Sequence, residues 1–157
     1  MTRDEAGELV HGTCVALGKR AALLRGPSGA GKSDLALRFL ALPGDGEYLP
    51  LLVADDQVFV APNGNDELIA SSPQTIAGKI EVRGVGIIEV PSLAQADLML
   101  VCDLVGAGDV PRLPPEPWER TLIAGVAVRH LRLAPFEPSA ALKLKMALLW
   151  ADRDLPK

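Results

Sequence analysis

The residues best suited to chemistry lie between Gly26 and Ser33, read as GPSGAGKS. The spacing Gly-x-x-x-x-Gly-Lys-Ser is a complete P-loop pattern, so Gly26, Pro27, Ser28, Gly29, Ala30, Gly31, Lys32 and Ser33 form a candidate phosphate-binding set. Its glycines let the backbone turn tightly and bring amide N–H groups close to an anion. Lys32 can reach terminal phosphates, and the Ser33 hydroxyl can take a position on Mg²⁺. A glycine-rich turn before a helix is the bland alternative. At average composition, however, the spaced pattern arises by chance in roughly one chain in a few hundred.

Phosphoryl transfer at such a loop needs a carboxylate to help hold the metal, usually just after a buried strand. Two segments qualify: Leu51–Asp56 (LLVADD) and Leu98–Asp103 (LMLVCD). The first carries two adjacent carboxylates, Asp55 and Asp56, which offers separate metal and base roles. In an unbroken strand neighbouring side chains point to opposite faces, so both serve one site only if the strand ends or bulges there. Otherwise the pair is a solvated strand end. Glu81 and Arg83 share one face of KIEVRG, and Gly84 and Gly86 interrupt the apolar run that follows, a sign of close backbone approach or a bulge. His11 precedes Thr13 by two positions on one expected strand, and His130 lies near the end of another; a lone strand histidine is usually structural.

The elements that must position these groups follow from periodicity. Val10–Leu17 and Arg20–Arg25 read as strands joined by a Gly18-Lys19 turn, leading directly into the loop. Ser33–Leu42 reads as a helix with Leu35, Phe39 and Leu42 on one face and Leu40 beside it; its N-terminus adds partial positive charge. Leu49–Ala54 and Gln57–Ala61 are strands, and Glu67–Ala70 pairs back across the Pro62–Asn65 turn. Ser71–Ala77 is a polar connection or short helix. Lys79–Arg83, Ile87–Val90 and Leu98–Leu104 are strands, Gly106–Trp118 is an irregular Pro- and Gly-rich loop, and Thr121–Leu133 holds one or two strands with Gly125 as a bulge. Pro138-Ser139 precedes a helix over Ala140–Trp150, with Leu142, Met146 and Leu149 at helical spacing. Many strands and two helices predict an α/β fold with a mixed, strand-rich sheet around a P-loop core.

Composition bounds the rest. At 157 residues the chain is one domain, residues 1–157, with 48% hydrophobic residues and few aromatics. The longest apolar runs are too short to span a bilayer, and the charged N-terminus lacks a signal-peptide core. Cys14 and Cys102, in apolar runs 88 positions apart, read as buried thiols with no metal spacing. These features predict a cytoplasmic protein. A net charge of −4 argues against general nucleic-acid binding.

The conjunction of His11-Gly12, GPSGAGKS at 26–33, LVADDQV at 52–58 and IEVRGVGIIEV at 80–90 resembles the catalytic domain of bacterial HPr kinase/phosphorylase. The likeness is strong over Val10–Val90 and loose beyond. It implies a mixed-sheet P-loop fold related to phosphoenolpyruvate carboxykinase, a homohexamer, and ATP- and Mg²⁺-dependent phosphorylation of a serine on an HPr-like phosphocarrier of the sugar phosphotransferase system. It also implies removal of that phosphate by inorganic phosphate, releasing pyrophosphate. By resemblance Lys32 binds phosphate, Ser33, Glu81 and Asp55 serve Mg²⁺, and Asp56 accepts the substrate serine's proton. His11 stands beside the phosphates, and Arg112 is the best match to a later catalytic arginine. By the resemblance the chain is expected to correspond to the catalytic domain without the family's N-terminal domain, as in short alphaproteobacterial forms. The family's Pro-Val-Arg-Pro-Gly-Arg segment aligns with Leu133–Pro138, where the arginines are absent and Glu137 is present, which weakens the expected phosphorylase activity. Two other readings share the same residues: a P-loop kinase for a small metabolite, and a nucleotide-binding regulatory module with little turnover.

Overall fold

A computed structural model describes residues 7–73, 77–116 and 118–151. The chain opens with β1 (Glu8–His11), breaks at Gly12 and continues as β2 (Thr13–Leu17), so the single strand expected over Val10–Leu17 is two. The break has a steric cause. A Cβ on Gly12 would lie 2.8 Å from the Leu24 carbonyl oxygen and 2.9 Å from Leu23 Cδ1, so only glycine permits this approach. β3 (Arg20–Arg25) returns antiparallel to β2, as expected. Cys14–Leu17 and Ala21–Leu24 are apolar at every position and buried on both faces.

Helix α1 (Lys32–Leu40) follows the glycine-rich loop and buries Leu35, Ala36 and Phe39. Then come β4 (Pro50–Ala54), β5 (Gln57–Pro62) and β6 (Leu68–Ser71), the last two forming the expected hairpin. The Ser71–Ala77 connection lies in part, at 74–76, outside the described residues. β7 (Lys79–Val82) and β8 (Gly86–Glu89) form a separate two-stranded hairpin. Gly84 and Gly86 therefore make a turn and not a bulge, both with positive φ. β9 (Gln95–Leu104) is the longest strand. After the irregular loop, which contains one short 3-10 turn at Ala107–Asp109, come β10 (Arg120–Ile123) and β11 (Val126–Leu133). Ala124 and Gly125, both at positive φ, form the hairpin turn between them, so Gly125 is not a bulge. Helix α2 (Ala140–Trp150) ends the described chain but for Ala151.

The main sheet runs β1-β5-β6-β9-β3-β2-β4, with β11 beside the C-terminal half of β9 and β10 beyond it. β3 and β11 are parallel to β9 and the other pairs are antiparallel, the mixed sheet expected from the strand count. Two cores form. One lies between the sheet and the two helices and holds Val15, Leu24, Phe39, Leu100, Leu144 and Leu148. The other fills the opposite face with Cys14, Leu23, Val58, Val60, Leu68 and Val101. In α2 the buried side is Ala140, Ala141, Leu144, Ala147 and Leu148; Leu142 and Met146, singled out by spacing, face solvent. Alanines bring this helix close to its neighbours, and hydrophobicity alone misses them. Both cysteines are buried and unpaired, and burial pushes both thiols up; the neighbouring Asp103 charge adds to this at Cys102. Among the described residues, no helix is long and apolar enough to cross a membrane.

Candidate active site

The site is built at the corner of a bent ribbon. β1 pairs with β5 and β2 pairs with β4, and both strands of this ribbon break at the same level, at Gly12 and at Asp55-Asp56. The Gly12 N–H donates to the Asp56 carbonyl at 3.0 Å and ties the two breaks together. Across the break the Gln57 N–H donates to the Asp55 carbonyl at 2.9 Å, and Asp56 between them has φ 76°. This is a three-residue turn with a left-handed centre, rare for a non-glycine residue. It supplies the strand end that two adjacent carboxylates need to reach one cleft.

Both do reach it. A cleft of about 890 Å³ is lined by His11, Thr13, Ser28, Gly29, Gly31, Lys32, Ser33, Asp34, Asp55, Asp56 and Glu81, with Arg83 and Phe136 on its walls. Asp55 is the organising group. Its Oδ1 accepts from Thr13 Oγ1 at 3.1 Å and from Ser33 Oγ at 3.2 Å, and its Oδ2 accepts from the Glu81 N–H at 3.3 Å. One carboxylate thus joins β2, the start of α1 and β7. Asp56 stands apart, 71% exposed, with its Oδ1 3.7 Å from His11 Nδ1; His11 is itself 60% exposed.

The glycine-rich loop has the geometry expected from its sequence. Gly29 and Gly31 take φ of 86° and 101°, and a Cβ on Gly29 would meet no atom within 4 Å. Lys32 is 8% exposed, and its Nζ donates to the Gly26 carbonyl at 2.7 Å and the Pro27 carbonyl at 3.1 Å. The ammonium is held inside the loop by the loop's own carbonyls. An anion in the loop would meet it together with the free N–H groups at the start of α1.

The donor set fits a hard, oxygen-seeking cation shared with a phosphate. Mg²⁺ is usually bound by one or two protein oxygens plus substrate phosphates. The Ser33 hydroxyl and Asp55 carboxylate supply such oxygens beside the loop. Among the described residues no three His, Cys, Asp or Glu side chains converge on a metal position, so a cation here would depend on the phosphate for its remaining ligands.

Three expected or weighed residues lie elsewhere. Arg112 sits on the exposed stretch 111–116 and does not line the cleft. Asp103, the second strand-end carboxylate, pairs with Arg25 at 2.8 and 3.1 Å and with His130 Nε2 at 2.7 Å. Burial pushes the Asp103 carboxyl up, but hydrogen bonds and charge from Arg25 and His130 outweigh it and hold it below the usual carboxylate range. His130 is thereby a structural histidine, reaching Glu119 on its other side at 3.7 Å. Sequence reasoning passed over Thr13 and Phe136. Thr13 could have been found from its place two residues after His11 and opposite the Asp pair. Phe136 announced itself only as an aromatic within Leu133–Pro138, the segment whose expected arginines are absent.

Comparison with known proteins gives this geometry a family. The model for the HPr serine kinase C-terminal domain matches residues 5–99, from ahead of β1 to the middle of β9. The chain belongs to the HPr serine kinase C-terminal domain family. Among curated relatives, the HPr kinase/phosphorylase of Exiguobacterium sp. is 39% identical over 84 residues, covering 54% of this chain and 25% of the relative. That of Clostridium tetani is 38% identical over 111 residues, covering 71% of this chain and 33% of the relative. The chain therefore spans a quarter to a third of the length of the curated relatives it matches. A solved structure of the Hpr(Ser) kinase/phosphatase from Coxiella burnetii superimposes with TM-score 0.73 at 26% identity, covering 93% of this chain and 90% of that one. The fold likeness to this structure therefore extends beyond residues 5–99, the stretch that the family model matches.

Proposed function

We propose that this chain is an ATP- and Mg²⁺-dependent serine kinase that phosphorylates an HPr-like phosphocarrier protein. In this reading residues 1–157 form a single P-loop catalytic domain, related in fold to phosphoenolpyruvate carboxykinase, which acts in the cytoplasm and assembles as a hexamer. The observation that carries it is the convergence of both carboxylates on one cleft. Asp55 is hydrogen-bonded to Ser33 of the glycine-rich loop, and the turn at Asp56 presents a second, freely accessible carboxylate beside it.

The roles implied by the resemblance fit the geometry of the cleft. The loop amides and Lys32 bind and orient the triphosphate. Ser33 and Asp55, with Glu81 on the facing strand, are the residues that would hold Mg²⁺, and the cation would supply charge neutralisation on the phosphates. Asp56 takes the proton from the acceptor serine as its oxygen bonds to the terminal phosphorus. The bond from that phosphorus to the bridging oxygen breaks, and ADP leaves. His11, 3.7 Å from Asp56, orients the carboxylate and adds a donor near the transferred group. Arg112, carried over by resemblance, acts only if assembly or loop movement brings it to the cleft.

The acceptor side favours a protein over a small metabolite. Asp56 and His11 are 71% and 60% exposed, so the catalytic end of the cleft lies open to a large partner. Arg83 and the β7–β8 hairpin, with Val85 and Ile87 each 71% exposed, border it with charge and apolar surface. The reverse, phosphorylase reaction is weak or absent, because the segment Leu133–Pro138 lacks the arginines that the resemblance expects there and carries Glu137. The test is incubation with radiolabelled ATP, Mg²⁺ and an HPr-type carrier beside a panel of small hydroxyl metabolites. Label on the carrier alone supports the proposal; label on a metabolite alone, or on neither while nucleotide binds, refutes it.

A further inference from the structure

We infer that Phe136 is the platform on which the base of the bound nucleotide stacks. This rests on the kinase reading of the glycine-rich loop and extends it to the part of the nucleotide that the loop does not hold.

Phe136 is 67% exposed, although it belongs to a tightly held segment. It lies between β11 and α2, and Arg38 of α1 donates to the carbonyls on both sides of it, Pro135 and, at 3.3 Å, Glu137. Pro135 is buried, and Lys143 holds the Glu137 carboxylate at 2.6 Å. The backbone around the ring is thus fixed while the ring itself faces the cleft. A preorganised, solvent-facing aromatic loses little on receiving a flat partner.

Its place relative to the loop selects that partner. A Cβ on Gly31 would lie 2.9 Å from the Phe136 Cζ, so the ring stands against the last glycine of the phosphate cradle. Ser33 faces Asp55, whereas Arg38 faces the Phe136 segment. Five residues separate them on one helix, which puts the two directions about 140° apart around its axis. The carboxylates and Phe136 therefore flank opposite sides of the α1 N-terminus. A triphosphate whose terminal phosphoryl lies toward Asp55 and Asp56 runs past Gly31 toward Phe136, and its nucleoside end arrives there.

The experiment measures Kd by calorimetry for Mg·ATP and for Mg·tripolyphosphate, which carries the phosphates without the nucleoside. Phe136→Ala is expected to raise Kd for ATP about tenfold, the usual scale of one base–aromatic stack, and to leave tripolyphosphate within about twofold. Phe136→Trp is expected to keep ATP affinity within about threefold. Its added emission, over that of Trp118 and Trp150, is expected to be quenched by ATP and not by tripolyphosphate. Equal weakening of both probes, unchanged ATP affinity, or a rise confined to the KM for the protein acceptor would each overturn the assignment while leaving the kinase reading intact. A wild-type chain that binds neither probe would overturn both.

Discussion

Asp56 offers a test in which stability and activity move in opposite directions. Its side chain is 71% exposed and its backbone sits at φ 76°. Truncating the side chain therefore removes almost no packing, and the stability change comes from the backbone. A left-handed φ costs an ordinary L-residue about 1–2 kcal/mol, and Asp somewhat less. Asp56→Gly relieves that strain but adds about 0.5–1 kcal/mol of unfolded-chain entropy, so the variant should be as stable as wild type or more stable by up to about 1 kcal/mol. Asp56→Ala keeps the strain without Asp's tolerance of it and should lose about 1 kcal/mol. In a domain of this size 1 kcal/mol moves Tm by roughly 2–4 °C. Asp56→Asn should hold Tm unchanged, because Asn also tolerates this conformation. If Asp56 is the general base, all three variants lose about 10²–10⁴-fold in kcat with ATP affinity retained. The assays are thermal melts, calorimetric ATP titration and label transfer to the carrier protein. Asp56→Asn or Asp56→Gly with wild-type transfer would refute the base role. A large drop in Tm for Asp56→Gly would refute the claim that the turn is strained.

Gly31→Ala should lower Tm by roughly 4–8 °C, because it forces a Cβ at φ 101° and 3.1 Å from the buried Pro135, and should abolish measurable ATP binding. Asp103→Asn should cost about 2 kcal/mol at pH 7 in denaturant unfolding, less than a fully buried pair because a third of the Asp103 side chain meets water. Since the folded state holds the Asp103 carboxyl below its unfolded value of about 3.9, its contribution is fully present above that pH and is lost as pH falls through the folded value. The variant should therefore show a flatter acid limb in its stability profile. Cys14 and Cys102 should resist iodoacetamide in the native protein and react only on unfolding, read by mass spectrometry, because burial holds both thiols protonated.

Much of this fold could be read from the chain because its signals are local. The runs Cys14–Leu17 and Ala21–Leu24 are short, apolar at every position and joined by a Gly-Lys turn, which points to buried strands. The loop's glycines and Lys32 marked a tight loop before a helix, and Ala140–Trp150 was recognisable as a helix. What stayed hidden depends on contacts between distant segments. Nothing in VHGTCVAL marks Gly12 as a break; the cause is the Leu24 carbonyl lying against it across the sheet. The Asp55-Asp56 turn is likewise fixed by a bond from Gly12, more than forty residues away in sequence. The choice between the two strand-end carboxylates was also tertiary. Asp103 and Asp55 follow similar apolar runs, but Asp103 meets Arg25 and His130, whereas Asp55 meets Ser33 and Thr13. Phe136 gains a place in the cleft only because Arg38 holds its neighbours.

The central claim is transfer from ATP to a protein serine at the corner where Asp55 and Asp56 meet the glycine-rich loop. Its most direct test is mass spectrometry of an HPr-type carrier after incubation with this chain, ATP and Mg²⁺. The account predicts one added phosphate per carrier, located on serine. A carrier left unmodified by a chain that binds ATP would contradict it.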